Sequence, residues 1–113
     1  MEDCIFCKIV NKEIGNLIFE NEYVAAFDDL NPQAPVHTLI VPKKHIKNVE
    51  ELENEDMIYI VEIHKAIKEI AKQKNVSETG YRIINNCGRD AGQTVMHIHY
   101  HLLAGKDLGE KIV

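Results

Sequence analysis

The sequence predicts an α+β fold in which an antiparallel sheet of about five strands packs against one long helix. Three observations lead to this prediction. Apolar residues recur at intervals of three and four over residues 54–74, which is the spacing of an amphipathic helix. Two β-type runs, residues 17–20 and 23–27, are separated by two polar residues and indicate a hairpin. Residues 97–103 alternate histidine with apolar residues, which favours a further strand.

The remaining elements follow from local signals along the chain. Residues 8–16 are predicted to form a short helix or turn that ends at Gly15-Asn16. Residues 35–42 are an apolar run between two prolines and are predicted to form a strand. The long helix has Asn54 as a candidate cap, followed by two acidic residues. Residues 80–86 form another β-type run that leads into a glycine-containing loop.

Length and composition indicate a single domain that covers residues 1–113. The net charge of −5 argues against a nucleic-acid polymer as partner, because phosphate backbones select basic surfaces. The chain has no apolar run long enough to cross a membrane, and its acidic start, Met1-Glu2-Asp3, lacks the pattern of a signal peptide. Three cysteines, an odd number, suit a reducing cytoplasm better than a disulfide framework.

The richest chemistry lies in residues 88–103. His97, His99 and His101 stand at alternate positions, so on a strand their rings would share one face. Such a row fits a solvated polar face, a metal site or nucleophilic catalysis. The preceding loop has two glycines and the donors Gln93 and Thr94, which suit an anionic oxygen. This combination favours phosphorus chemistry with a histidine nucleophile.

The N-terminal Cys4-Ile5-Phe6-Cys7 motif is ambiguous by itself. It is compatible with half of a zinc site, with a redox pair, or with two ordinary reduced thiols. A tetrahedral zinc would need two more ligands, and His45 and His97 are available.

Residues 93–103, Gln-Thr-Val-Met-His-Ile-His-Tyr-His-Leu-Leu, resemble the signature of the histidine triad (HIT) family, which is three histidines alternating with apolar residues and followed by two apolars. Residues 27–46 resemble the family's second marked segment, and residues 4–10 resemble its N-terminal opening. The resemblance covers nearly the whole chain and is greatest to the Hint branch, the purine nucleoside phosphoramidases. It implies a HIT-like fold with a short N-terminal helix, assembled as a two-fold homodimer whose sheets run together.

The resemblance also implies an activity, the hydrolysis of purine nucleoside 5′-phosphoramidates through a covalent nucleotidyl-histidine. His99 would be the nucleophile, and His37, His101 and His97 would complete the catalytic group. Asp29 would accept hydrogen bonds from the ribose hydroxyls. The nucleotide-binding set that the resemblance implies is Ile5, Phe6, Asp29, Asn86, Gly92, Gln93, Thr94, His99 and His101. A structural zinc would be held by Cys4, Cys7, His45 and His97, and no catalytic metal is expected.

Other interpretations remain open. The substrate could be a dinucleoside polyphosphate, or the nucleotide could be transferred to phosphate in place of water. The chain could also be a zinc-stabilised nucleotide-binding or scaffolding module with little activity. Residues 104–113 lack the aromatic, proline-bearing tail of related phosphoramidases, which leaves the leaving group undefined. Asn85 is predicted to be a turn residue and His64 a packing residue, so neither is given a role in the site.

Overall fold

Five antiparallel strands form one sheet in the computed structural model, which describes residues 3–113. Along the chain the strands are β1 (Phe19–Glu20), β2 (Val24–Asp28), β3 (Val36–Pro42), β4 (Tyr81–Asn85) and β5 (Tyr100–Ala104), and they lie in the order β1-β2-β3-β5-β4. The predicted α+β fold and strand number are confirmed. Met1 and Glu2, part of the acidic start discussed above, lie outside the described residues.

Helix α2 (Met57–Gln73) covers one face of the sheet. Side chains alternate between the two faces of each strand, so every second residue of the central strands points toward this helix. The resulting core is almost entirely aliphatic and fully buried, and it contains Val24, Ala26, Ile40, Ile63, Ile67, Ile70, Ile98 and Leu102. None of the helices within residues 3–113 is both long and apolar enough to cross a lipid bilayer.

Helix α1 (Ile5–Val10) lies on the other face, earlier in the chain than the predicted helix or turn at residues 8–16. Its start is fixed by Cys4, whose Sγ accepts the Cys7 main-chain N–H at 3.3 Å. Phe6 and Val10, one turn apart, are buried against residues 25, 27, 39 and 41 of the sheet. Burial of this apolar pair therefore sets the position of the helix, and residues 11–16 remain as an exposed turn.

The N-terminus of α2 differs slightly from the predicted cap. Residues Asn54–Asp56 form a 3₁₀ turn before α2 begins at Met57. Glu53, not Asn54, precedes this turn, and its main-chain N–H donates to the Asp56 carboxylate at 3.1 Å in a reciprocal capping box. Lys44 Nζ contacts the same carboxylate at 2.6 Å and lowers the pKa of Asp56.

Strand β5 begins at Tyr100, three residues later than the alternating pattern predicted. Residues 95–97 form a bend, and neither they nor residues 98 and 99 are paired with β4 in the ladder. The Ile98 main-chain N–H instead donates to the Ile46 carbonyl at 2.8 Å. Only His101 of the three alternating histidines is therefore a strand residue, while His97 and His99 lie in the segment that leads into the strand.

Candidate functional site

The histidines meet on the α1 face of the sheet, but they do not form one continuous row. The His99 and His101 ring centroids are 5.2 Å apart, and Phe6 packs edge-on against the His99 ring at 5.0 Å. The His97 ring turns the other way, toward the two cysteines. The departure from regular strand geometry before Tyr100 allows this, so the triad serves two neighbouring groups.

The first group consists of Cys4, Cys7, His45 and His97, the four residues that the resemblance assigned to zinc. Both sulfurs lie within 3.5 Å of His97 Nδ1, and Cys7 Sγ is 3.3 Å from His45 Nδ1. The two Nδ1 atoms are 3.2 Å apart. In a tetrahedron with ordinary zinc–sulfur and zinc–nitrogen bonds, the ligand atoms lie about 3.3–3.6 Å apart along its S–N and N–N edges. The four side chains therefore fit a tetrahedral metal.

Main-chain contacts put His97 in the form that a metal requires. Its Nε2 lies 2.9 Å from the Pro42 carbonyl, which can only accept, so Nε2 carries the proton and Nδ1 keeps its lone pair. Burial, with smaller contributions from the charges of His45 and His99, lowers the pKa of His97 to about 4. Burial and the neighbouring Cys4 raise the pKa of the Cys7 thiol to about 11. His97 could therefore bind a metal through Nδ1 without losing a proton, whereas metal binding would have to displace the proton of the Cys7 thiol.

The second group consists of Asp29, His37 and His101. The Gln33 main-chain N–H donates to His37 Nδ1 at 3.0 Å, so a neutral His37 carries its proton on Nε2. This Nε2–H faces His101 Nδ1 at 2.9 Å and the Asp29 carboxylate at 3.5 Å. His101 Nδ1 therefore accepts, and its own proton lies on Nε2.

The His101 ring is neutral near pH 7. Burial, followed by the charges of His99 and His37, lowers the pKa of His101 to about 4, and Asp29 opposes this shift. A neutral ring with its proton on Nε2 is a hydrogen-bond donor on the side away from His37.

His99 has the opposite tautomer. Its Nδ1 lies 2.8 Å from the His97 carbonyl oxygen, so Nδ1 donates and the lone pair of a neutral ring is on Nε2. A buried imidazole with a free Nε2 lone pair thus lies beside a second imidazole that carries a proton on Nε2. A nucleophile and a neighbouring hydrogen-bond donor are parts that a covalent displacement can use.

The conformation of the loop before the triad, residues 88–94, depends on two glycines and on the buried side-chain amide of Gln93. Gly88 and Gly92 have φ values of +87° and +82°, which other residues adopt only with strain. The Gln93 side chain, 6% exposed, donates to the Lys47 and Val95 carbonyls and accepts the Gly88 N–H. Its polar atoms are thus engaged in holding the loop, whereas Gly92 and Thr94 are exposed to an incoming ligand.

The other predicted nucleotide-binding residues lie around the histidines. The Asp29 main-chain N–H donates to the His37 carbonyl, and one carboxylate oxygen accepts the Asn31 N–H at 2.8 Å. Phe6 is 7% exposed, whereas Ile5 is 48% exposed at the start of α1. Asn86 is half-buried just after β4. Ile5 and Thr94 also line a cavity of about 440 Å³ beside Cys4 and His45.

Three positioning groups were missed by sequence reasoning. Two are main-chain groups, the Gln33 N–H and the Pro42 carbonyl, which no residue type reveals. The third is Asn85, predicted to be a turn residue, whose Nδ2 donates to the His99 carbonyl at 3.1 Å. Its position at the end of a β-type run, next to Asn86, was the one available signal.

Comparisons with known proteins identify the family. The family model described as HIT domain matches residues 11–108. A purine nucleoside phosphoramidase from Escherichia coli K12 is 40% identical over 109 residues, which is 96% of this chain and 92% of that protein. A HIT family hydrolase from Clostridium thermocellum superposes with a TM-score of 0.97 at 49% identity, covering 100% of this chain and 99% of the other. A histidine triad protein from Clostridium difficile gives a TM-score of 0.95 at 50% identity, covering 98% and 97%.

Proposed function

Because the chain belongs to the HIT domain family, we propose that it is a hydrolase of purine nucleoside 5′-phosphoramidates that works through a nucleotide bound covalently to His99. The observation that carries the proposal is the pair of opposite tautomers in two neighbouring rings, whose centroids are 5.2 Å apart: His99 has its lone pair on Nε2, and His101 has its proton on Nε2. The name of the Escherichia coli relative supports the substrate class.

Substrate binding follows from the surroundings of the pair. The Asp29 carboxylate accepts hydrogen bonds from the ribose hydroxyls. Main-chain N–H groups near Gly92, together with Thr94 and Asn86, bind the phosphate oxygens. Gln93 fixes the conformation of the loop and does not bind the phosphate directly, since its side chain is already hydrogen-bonded to the main chain. Phe6 and Ile5 form an apolar wall for the purine base.

The reaction proceeds in two displacements. His99 Nε2 attacks the phosphorus and the P–N bond to the leaving amine breaks. The His101 Nε2–H donates a hydrogen bond to the amine nitrogen, and the amine takes its proton from solvent, because a neutral imidazole is too weak an acid to release its only proton. The positive charge that forms on the His99 ring is stabilised by its Nδ1–H bond to the His97 carbonyl. Water then attacks the phosphorus of the intermediate, loses a proton to solvent, and releases the nucleoside monophosphate. His37 keeps the His101 ring in the required tautomer.

The first experiment is intact-protein mass spectrometry after rapid mixing with an adenosine phosphoramidate and acid quenching. We expect an adduct with the mass of AMP on the wild type and none on His99→Asn. The matched control is His64→Gln, which replaces an exposed histidine of α2 and should form the adduct normally. Nucleotide binding with neither adduct nor AMP release would refute the proposal and favour a binding module. Faster turnover of a dinucleoside polyphosphate under the same conditions would reassign the substrate.

The cysteine–histidine group is proposed to hold a structural zinc. Its ligand atoms have tetrahedral spacing, and two thiols with two imidazoles are a common donor set for structural zinc sites. A filled site of four protein ligands leaves no coordination position for substrate, so we assign the metal no step in the reaction. Zinc at this site would connect α1 to the segment of His97. It would thereby fix the position of Ile5 and Phe6, which are proposed to contact the base, relative to the triad. Cys4, Cys7 and Cys87 form no disulfide, which suits a cytoplasmic protein.

The homodimer is proposed from an exposed apolar stripe beside an open sheet edge. On α2, Met57 and Val61 are 47% and 49% exposed, and Ile58 is 40% exposed. In β4, the edge strand of the sheet, Ile83 is 37% exposed. Pairing of β4 with its two-fold copy would satisfy the open main-chain groups and cover the stripe.

A further inference from the structure

We infer that Asn85 is a positioning residue for the nucleophile, which holds the main chain of His99 from the face of the sheet opposite to the reacting groups. The inference rests on the proposed function, because it assigns His99 the attack on phosphorus. It concerns a residue that takes no part in binding or proton transfer.

The Asn85 hydrogen bond lies just beyond the last paired residues of β4 and β5. Asn85 is the last residue of β4 and pairs with Tyr100, the first residue of β5. Its Nδ2 donates to the His99 carbonyl at 3.1 Å, one residue beyond the paired strands. The side-chain amide therefore extends the ladder by one hydrogen bond at the point where β4 turns away into the glycine loop.

Asn85 lies on the face of the sheet that packs against α2. Side chains alternate along β4, so Asn85 shares a face with Ile83, which lies opposite the fully buried Leu102 of the α2 core. The His101 ring and the α1 residues lie on the other face. Asn85 thus reaches the His99 carbonyl through the sheet without facing the substrate.

Together, two hydrogen bonds fix the nucleophile. The His97 carbonyl accepts from Nδ1 and orients the ring, and Asn85 orients the peptide that follows the ring. Asn85 is also the chain neighbour of Asn86, where the phosphate loop begins. One amide therefore links the root of the phosphate loop to the attacking residue. Such a link sets the approach of Nε2 to phosphorus, and an error of about 1 Å there can cost on the order of 100-fold in rate.

The test compares two near-isosteric variants with a matched control. Asn85→Leu removes the donor, and Asn85→Asp places a carboxylate oxygen against the carbonyl. Arg82→Gln is the control, because Arg82 lies in the same strand and also donates to a main-chain carbonyl, but to that of Gly109 at 2.7 Å and not to the segment of the triad. For an adenosine phosphoramidate we expect kcat to fall about 10- to 100-fold in both Asn85 variants, with KM changed less than about twofold.

Further readouts separate positioning from general destabilisation. The rate of adduct formation should fall with kcat, while Tm, AMP affinity and sedimentation behaviour stay close to those of the wild type. Wild-type kcat in both Asn85 variants would overturn the inference, as would an equal loss of kcat in Arg82→Gln.

A measurement without turnover keeps the inference testable if the proposed function fails. In ¹³C/¹⁵N NMR spectra, the carbonyl carbon and ring nitrogens of His99 should shift in Asn85→Leu, whereas the ring nitrogens of His37 should not. Unchanged His99 signals would refute the inference, whichever substrate the enzyme uses. A wild type that forms no adduct with any phosphoramidate would refute the proposed function alone.

Discussion

Zinc binding provides a quantitative test of the cysteine–histidine group. Only the folded chain brings Cys4, Cys7, His45 and His97 together, so zinc should stabilise the folded state. At a free zinc concentration of about 100 times Kd, the gain is about 2.7 kcal/mol. With about 2.1 cal/mol/K of unfolding entropy per residue over 113 residues, this corresponds to a rise in Tm of about 11 °C.

The assay is thermal unfolding at fixed protein concentration, with buffered zinc or with a chelator. Cys7→Ser should lose most of the zinc-dependent rise in Tm. Cys87→Ser, which changes the half-buried third cysteine outside the group, should keep it. Equal Tm values for the wild type in zinc and in chelator would refute the proposed site, and so would a full zinc response in Cys7→Ser.

The pH dependence of zinc binding gives an independent check. The pKa of the Cys7 thiol is about 11 without metal, so zinc must displace its proton at neutral pH. Each displaced proton makes the apparent affinity rise about tenfold per pH unit, which is about 1.4 kcal/mol. Between pH 6.5 and 7.5 at constant zinc, the stabilisation should therefore grow by at least this amount. A zinc response that does not change over this range would contradict the assignment of Cys7 as a thiolate ligand.

Three further predictions concern the triad, the core and the dimer. His101 binds a proton in the unfolded chain near pH 6.5 but in the folded chain only near pH 4, so its contribution to stability is complete above pH 6.5 and is lost as pH falls toward 4. The shift corresponds to about 3.4 kcal/mol, which solvent screening reduces to about 1–2 kcal/mol because the ring is partly exposed. Urea titrations should show that the stability difference between the wild type and His101→Asn changes by this amount from pH 7 to pH 4. A stability difference that stays constant would count against the lowered pKa. Ile67→Ala should cost about 2–5 kcal/mol by denaturant unfolding, because Ile67 is 1% exposed in the α2 core, and a loss below about 1 kcal/mol would show that the core relaxes around the gap. Val61→Glu places a charge in the proposed dimer surface and should shift the sedimentation coefficient toward that of a monomer, whereas Ile112→Glu in the exposed tail should not. Identical sedimentation coefficients of the two variants would argue against the proposed dimer surface.

The element pattern could be predicted because it depends on short-range spacing. The three-and-four spacing of residues 54–74 gave the long helix, and alternation located the strands to within a few residues. The start of β5 was placed too early because alternation of residue types does not show where strand pairing begins, and residues 95–97 bend before the strand starts. Helix α1 was placed too late because its start depends on burial of Phe6 and Val10 against distant strands.

The sequence by itself determined the α+β class and, through the alternating histidines and the Cys-x-x-Cys motif, the candidate residues. Residue type and spacing carry this information, since they fix periodicity and the available donor atoms. Only the tertiary structure decided which nitrogen of each histidine carries the proton. That choice depends on main-chain groups of Pro42, His97 and Gln33. The sequence does not reveal these groups, because every residue has a main-chain carbonyl and nearly every residue has a main-chain N–H. Each main-chain group acquires its role only when folding places it against a histidine ring. The Asn85 side-chain amide likewise acquires its role only when folding places it against the His99 carbonyl.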